Sequence, residues 1–322
     1  MMSAISRLLA SSSWSVLLQK SLHFLLNMLR FHTGAAVLAL TAAWVCQADV
    51  GDFTPCERFF YNAWPPKGLV GAAICQRYLN KYHFASLYDR HRRTPSYSAY
   101  LFSPADTKRP HTHWKYEPQL AYAKADGNMI PFPPGPVDQN VVQSQAIELD
   151  YINSSYTRGH LSPSLHHSDD IDKCATFTLT NVVPQKGPSN DGPWAAFEKD
   201  IKNRLTSYCA KEAYIVTGVI PYQKDRWIKG DRVAIPEYLW SAYCCPSYNT
   251  SIPANLTQAF PTYAAIGRND PNSTEEIVPV DKTRPKKYLG YDVRLMSLKT
   301  LEMYLQDRLG TVFSVFYNGC ST

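Results

Sequence analysis

Apolar positions along this chain recur at two periods, and each predicts a different element. Trp194, Phe197, Ile201, Leu205 and Tyr208 follow one another at steps of three and four, which gathers them into one stripe of an amphipathic helix. Ser189, Asn190, Asp191, Gly192 and Pro193 stand just ahead. They form a helix-start signature, in which proline is tolerated because its missing N–H has no partner in the first turn. A second helix is predicted over residues 297–309, with Leu298, Leu301, Leu305 and Leu309 on one face, Ser297 as cap and Gly310 as stop. Alternation predicts a strand over residues 97–102, ended by Pro104. Residues 176–183 are apolar and β-branched at a length suited to a buried strand ended by Pro184, and residues 214–220 form a second one closed by Pro221.

Between these elements the pattern breaks down. Residues 103–145 carry Pro131, Pro133, Pro134 and Pro136 and read as a long surface connection. Residues 221–290 read as loops with scattered short strands. With 45% hydrophobic residues over 322 positions the chain can bury a sizeable core, which excludes disorder. The formal charge of +6 is uninformative, because Arg7, Lys20 and Arg30 lie in the first 48 residues, which hold no acid, and without them the net is +3. Any anion site must therefore be argued from local residues.

The first 48 residues read as an address. Arg30 and His32 precede an apolar stretch over residues 35–45 and a small residue at Ala48, the layout of a secretory signal whose initiator would be Met28. That run is too short to span a bilayer. The rival address is mitochondrial, since residues 1–27 are Ser-rich and acid-free. Two features favour secretion. Asn153, Asn249, Asn255 and Asn272 each open a glycosylation triplet. Seven cysteines follow Ala48 without CxxC spacing or histidines at zinc-ligand spacing, so disulfides are expected, with one thiol left over. Adjacent Cys244 and Cys245 are expected to bond elsewhere than to each other. Residues 49–322 read as a single soluble domain.

The chemistry centres on Arg158, Gly159 and His160, preceded by Tyr156 and Thr157. On an extended backbone Arg158 and His160 share one face, while Gly159 offers no side chain to block close approach from the other. Asn190 begins the helix thirty residues after His160, and Glu198 lies eight positions further, about two turns on and on nearly the same face. These groups meet the demands of phosphodiester hydrolysis, in which water is deprotonated, charge at phosphorus is neutralised and a leaving oxygen is stabilised. His160 suits the general base, Arg158 the non-bridging oxygens, and Asn190 a hydrated Mg²⁺ whose waters Glu198 orients. Other candidates have blander readings. Adjacent His166 and His167 point apart and read as surface histidines; His111 and His113 share a face within a loop; Arg90, Arg92 and Arg93 read as a solvated charge run; Trp194 reads as a hydrophobic anchor.

Arg158-Gly159-His160, with Asn181 to Lys186 and then Asn190, Gly192, Trp194 and Glu198, resembles the DNA/RNA non-specific endonucleases of the ββα-metal, or His-Me finger, class. The resemblance extends over most of residues 50–320, including Trp114 to Leu120. It implies an α+β fold of mixed and antiparallel sheets with flanking helices. It also implies a metal-dependent endonuclease acting on the phosphate backbone of DNA and RNA with Mg²⁺, or with Mn²⁺ or Ca²⁺. On that resemblance His160 is the general base, Arg158 the motif arginine, Asn190 the direct metal ligand, Glu198 its support through water, and Arg109 and Asn181 substrate-binding positions. The family motif usually opens with aspartate, where this chain has Thr157. Two alternatives follow: an extracellular binding protein on an inactive scaffold, and a mitochondrial nuclease of the same class.

Overall fold

The computed structural model describes residues 50–104 and 108–321, so the address segment expected over residues 1–48 lies outside the described residues. The strands in chain order are β1 (Val50–Gly51), β2 (Ala72–Tyr78), β3 (Lys81–Asp89), β4 (Thr94–Leu101), β5 (Lys115–Tyr116), β6 (Ile130–Pro131), β7 (Thr157–His160), β8 (Val182–Gln185), β9 (Tyr214–Ile228), β10 (Val233–Cys244), β11 (Thr262–Arg268) and β12 (Val293–Met296). The α-helices are α1 (Pro118–Ala121), α2 (Gln139–Ser144), α3 (Glu148–Tyr151), α4 (Asp170–Ala175), α5 (Gly187–Asn190), α6 (Pro193–Tyr208) and α7 (Leu298–Leu309). Eight strands form one antiparallel sheet in the order β1-β2-β3-β4-β9-β10-β11-β12, while β5 pairs β6 and β7 pairs β8.

Both faces of the large sheet are covered, and its central strands alternate between two cores. In β10, Trp240 and Ala242 face a core that α7 closes with Leu298, Leu301 and Leu305. Leu239 and Tyr243 face the opposite core, closed by Trp194, Phe197, Ile201 and Leu205 of α6. The two predicted helices are thus the two covers, and burial of one stripe from each is what holds them there. Ser297 accepts a hydrogen bond from the Thr300 amide at 3.2 Å, and Gly310 closes α7 at φ +69°, where a side chain would be strained.

Three expectations fail, each because long-range packing overrides a local signal. Residues 176–183 are buried but do not form a strand: the chain turns over Leu179–Asn181 and becomes extended only at Val182. Thr178 and Thr180 instead turn their hydroxyls to each other and to Glu117, and the backbone pairing of the segment there is an isolated bridge from Thr178 to Lys115. Pro221 does not end its strand. β9 runs on to Ile228 because Pro221 lies opposite Pro236 at a register shift, so neither proline removes a donor that a ladder bond needs. Residues 221–290, expected as loops with scattered short strands, therefore contain most of the long β9–β10 hairpin. The connection over residues 103–145 carries β5, β6, α1 and α2.

Among the described cysteines three disulfides, Cys56–Cys75, Cys209–Cys245 and Cys244–Cys320, leave Cys174 as a free thiol. Cys244 and Cys245 bond to different partners because successive side chains of a strand point to opposite faces. Among the described residues no helix is long and apolar enough to cross a membrane.

Candidate active site

β7 and β8 pair antiparallel, with Gly159 opposite Val183 and His160 opposite Val182. The chain then turns through α5 and enters α6, giving two short strands and a helix packed on the large sheet. Asn269 clamps this unit in place: its amide nitrogen donates to the carbonyls of Pro184 and Pro236, and its oxygen accepts from the Lys186 amide. Gly159 is needed for the pairing to close. A Cβ there would lie 2.6 Å from Gln185 Cβ and 3.0 Å from its Cδ, inside the contact distance of any two carbons.

One cavity of about 420 Å³ collects side chains from four places in the sequence. Arg158 and His160 enter it from β7, Asn190 from the end of α5, Glu198 from α6 and Arg109 from the preceding connection. Lys173 and Ser164, which the sequence pattern does not single out, also border it, as does Asp191 of the helix-start segment.

His160 sits between two aromatic rings, with centroid separations of 5.4 Å to Trp114 and 5.0 Å to Phe177. Each ring carries a cation: the Arg158 guanidinium stands 4.9 Å from the Trp114 centroid, and that of Arg109 stands 4.9 Å from Phe177. This stack holds the imidazole where no side-chain hydrogen bond does. Nε2 is buried without a hydrogen-bond partner, and the residue lines the cavity. Burial, with the nearby charges of Arg109 and Arg158, pushes the His160 pKa down to about 3. The imidazole is therefore neutral near pH 7, and a weak base unless a nearby negative charge raises its proton affinity.

The Asn190 amide nitrogen donates to Thr157 Oγ1 at 3.1 Å, and the Thr157 hydroxyl donates to the Gln185 carbonyl at 2.8 Å. The amide oxygen of Asn190 accepts no hydrogen bond from the described residues and is left to the cavity. Burial pushes the Glu198 carboxyl up to about 8, with Trp194 and Arg109 offsetting part of the rise. A free amide oxygen beside an enclosed carboxyl offers oxygen atoms of the kind that suit a hard cation, whose positive charge would also favour the ionised form of Glu198. Among the described residues no group of three or more His, Cys, Asp or Glu side chains converges on a metal position.

Asn181, expected at the substrate, is corrected by its surroundings. It is fully buried and does not line the cavity. Its oxygen accepts from Ser98 Oγ and the Ser162 amide, and its nitrogen donates to the carbonyls of Ser162 and Thr176. That fourfold set ties the end of β7 to the turn before β8 and leaves nothing for a ligand. His166 and His167 are likewise not surface groups. His166 Nε2 donates to the Glu198 carbonyl at 2.9 Å and its Nδ1 accepts from Tyr100 Oη at 3.0 Å, while His167 Nε2 meets Ser162 Oγ at 2.8 Å. Through these bonds the segment after the base strand is fastened to the helix that carries Glu198. Trp194 is 1% exposed, the anchor it was expected to be. Asn153, Asn249, Asn255 and Asn272 all stand exposed, Asn153 and Asn272 on turns, Asn255 in a short helix and Asn249 in irregular chain.

Comparison with known proteins adds the family. Residues 69–292 match the model of the DNA/RNA non-specific endonuclease family, which is more than half of the chain. The chain is 34% identical to the human endonuclease domain-containing 1 protein over 200 residues, covering 60% of this chain and 39% of that protein. It is 24% identical to the mitochondrial nuclease EXOG of Mus musculus over 249 residues, covering 74% of this chain and 56% of that protein. A solved EndoG/EndoGI complex aligns over 74% of this chain and 84% of its own, at 17% identity and a TM-score of 0.47. The chain thus spans well under two thirds of the two curated relatives' lengths. The extent of the family match, falling on the β7–β8–α6 unit and the cavity it frames, assigns the chain to the DNA/RNA non-specific endonuclease family, with the His-Me finger fold.

Proposed function

We propose that this protein hydrolyses phosphodiester bonds of DNA and RNA without sequence preference, with a divalent metal on Asn190 whose waters Glu198 orients. The observation that carries the reading is the convergence of His160, Arg158, Arg109, Asn190 and Glu198 on one cavity. His160 takes the proton of the attacking water. The phosphate itself assists, because its negative charge raises the proton affinity of an imidazole otherwise held neutral by burial and two arginines. Arg158 and Arg109 face the non-bridging oxygens, where charge grows as the new bond forms. Asn190 would hold Mg²⁺, or Mn²⁺ or Ca²⁺, with Glu198 orienting its waters, and the ion when bound supplies Lewis-acid stabilisation of the leaving oxygen. Every one of these contacts is to phosphate, which is the same for all sequences.

The secretory route is supported by three disulfides and by four exposed glycosylation triplets. Glycans found by mass spectrometry on Asn249 or Asn255 would exclude a mitochondrial address. The activity is tested on plasmid DNA and on RNA. Purified protein cuts both with Mg²⁺ and stops with chelator, and His160→Ala lowers the rate by about 10²- to 10⁴-fold with its fold intact. Cutting at the parent rate by that variant would overturn the mechanism.

A further inference from the structure

We infer that Thr157 is a positioning residue for the metal ligand: its hydroxyl fixes which end of the Asn190 amide faces the cavity. The inference rests on the reading of Asn190 as the metal ligand and adds the device that orients it. An asparagine amide has two ends of similar shape, and either one would fit the same space. Only the oxygen binds a hard cation, whereas the NH₂ end would repel it.

The polarity of a short hydrogen-bond chain settles the choice. Thr157 and Gln185 are partners across the β7–β8 ladder, and the Gln185 carbonyl can only accept. The Thr157 hydroxyl therefore spends its one proton on that carbonyl, at 2.8 Å. What it turns to Asn190, 3.1 Å away, is a lone pair, and a lone pair can be met only by the NH₂ end. The oxygen is then committed to the cavity before any cation arrives. Thr157 and Asn190 are 33 residues apart, so the chain of bonds also ties the base strand to the turn that presents the ligand. Neutral threonine performs the orienting without adding charge, and an aspartate could not make the same bond to the Gln185 carbonyl.

The experiment compares the parent with Thr157→Val, which keeps shape and removes the hydroxyl, and Thr157→Ser, which restores it. The primary readout is Mn²⁺ binding to the protein by electron paramagnetic resonance, independent of cleavage. Removing an orienting partner of a metal ligand typically weakens binding about 10- to 100-fold. We expect Thr157→Val to lose about that much, and Thr157→Ser to stay within about threefold of the parent. On plasmid DNA, Thr157→Val should lose kcat at limiting Mn²⁺, regain it at saturating Mn²⁺, and keep the KM for DNA. A merely structural role would not produce that pattern. Should the valine variant not fold, Thr157→Ala reads the same loss of the hydroxyl. Parent-like Mn²⁺ affinity in the hydroxyl-free variant, when Asn190→Ala has lost it, overturns the inference. Parent-like affinity in Asn190→Ala itself instead overturns the underlying assignment of the metal ligand.

Discussion

Replacing Gly159 by alanine separates the close approach of two strands from the chemistry of the residues beside it. The added Cβ would fall 2.6 Å from Gln185 Cβ and 3.0 Å from Cδ, with Oε1 closer still. Carbon atoms pack at about 3.5–4.0 Å, so relief demands a shift of about 1 Å. Gln185 cannot supply it cheaply. The side chain is fully buried, and its Nε2 donates to Ser189 Oγ at 3.0 Å in the turn that carries Asn190. The strands must part instead. Overpacking of this kind costs about 1–3 kcal/mol, or a fall in Tm of a few to about ten degrees in a domain of this size. The effect on turnover is larger, because His160 and Arg158 flank the new methyl group and a misplacement of about 1 Å costs about 10²-fold in rate. The assay is Mg²⁺-dependent nicking of supercoiled plasmid, with Tm from circular dichroism on the same samples. We expect Gly159→Ala to remain folded, to melt lower and to lose about two orders of magnitude in rate. Pairing it with Gln185→Gly, which opens the space on the other strand, should recover part of both losses as a measurable coupling. Parent-like rate and Tm in the single variant would refute the close-approach reading.

Two further expectations concern groups that hold the site without facing it. Asn181→Ala strips four buried partners of their hydrogen bonds and should cost about 3 kcal/mol or more in urea unfolding, with the KM for DNA unchanged in the folded fraction. Parent stability with a raised KM would instead make it a substrate group. Burial lowers the pKa of His166 to about 4 and of His167 to about 3, so both are neutral in the folded state while an unfolded chain protonates them near 6.5. Their stabilisation is therefore complete above about pH 6.5 and is lost as pH falls toward 4, with a ceiling on the order of 3 kcal/mol for His166 alone. Urea midpoints at pH 7.5, 6 and 5 measure the fall; a flat profile would mean that these rings are solvated.

What the sequence determines by itself here is whatever depends on neighbours a few residues away. The stripe from Trp194 to Leu205, the Ser297 cap and the Gly310 stop act within one or two turns, and each appears in the structure where the pattern predicts it. Arg158 and His160 fall on one side of β7 because a strand alternates, and Gly159 lies between them because a second strand must pass close. Tertiary structure decided the rest. A β-branched run at residues 176–181 is buried in a turn because its hydroxyls find partners on other elements. Pro221 continues a strand because a second proline faces it from β10. His166 and His167 become internal fastenings, and Thr157 reaches Asn190, through contacts between segments that local pattern does not relate. A hydrogen bond or a close contact needs only proximity in space, and proximity between distant segments exists only once the sheet and its two covering helices have packed.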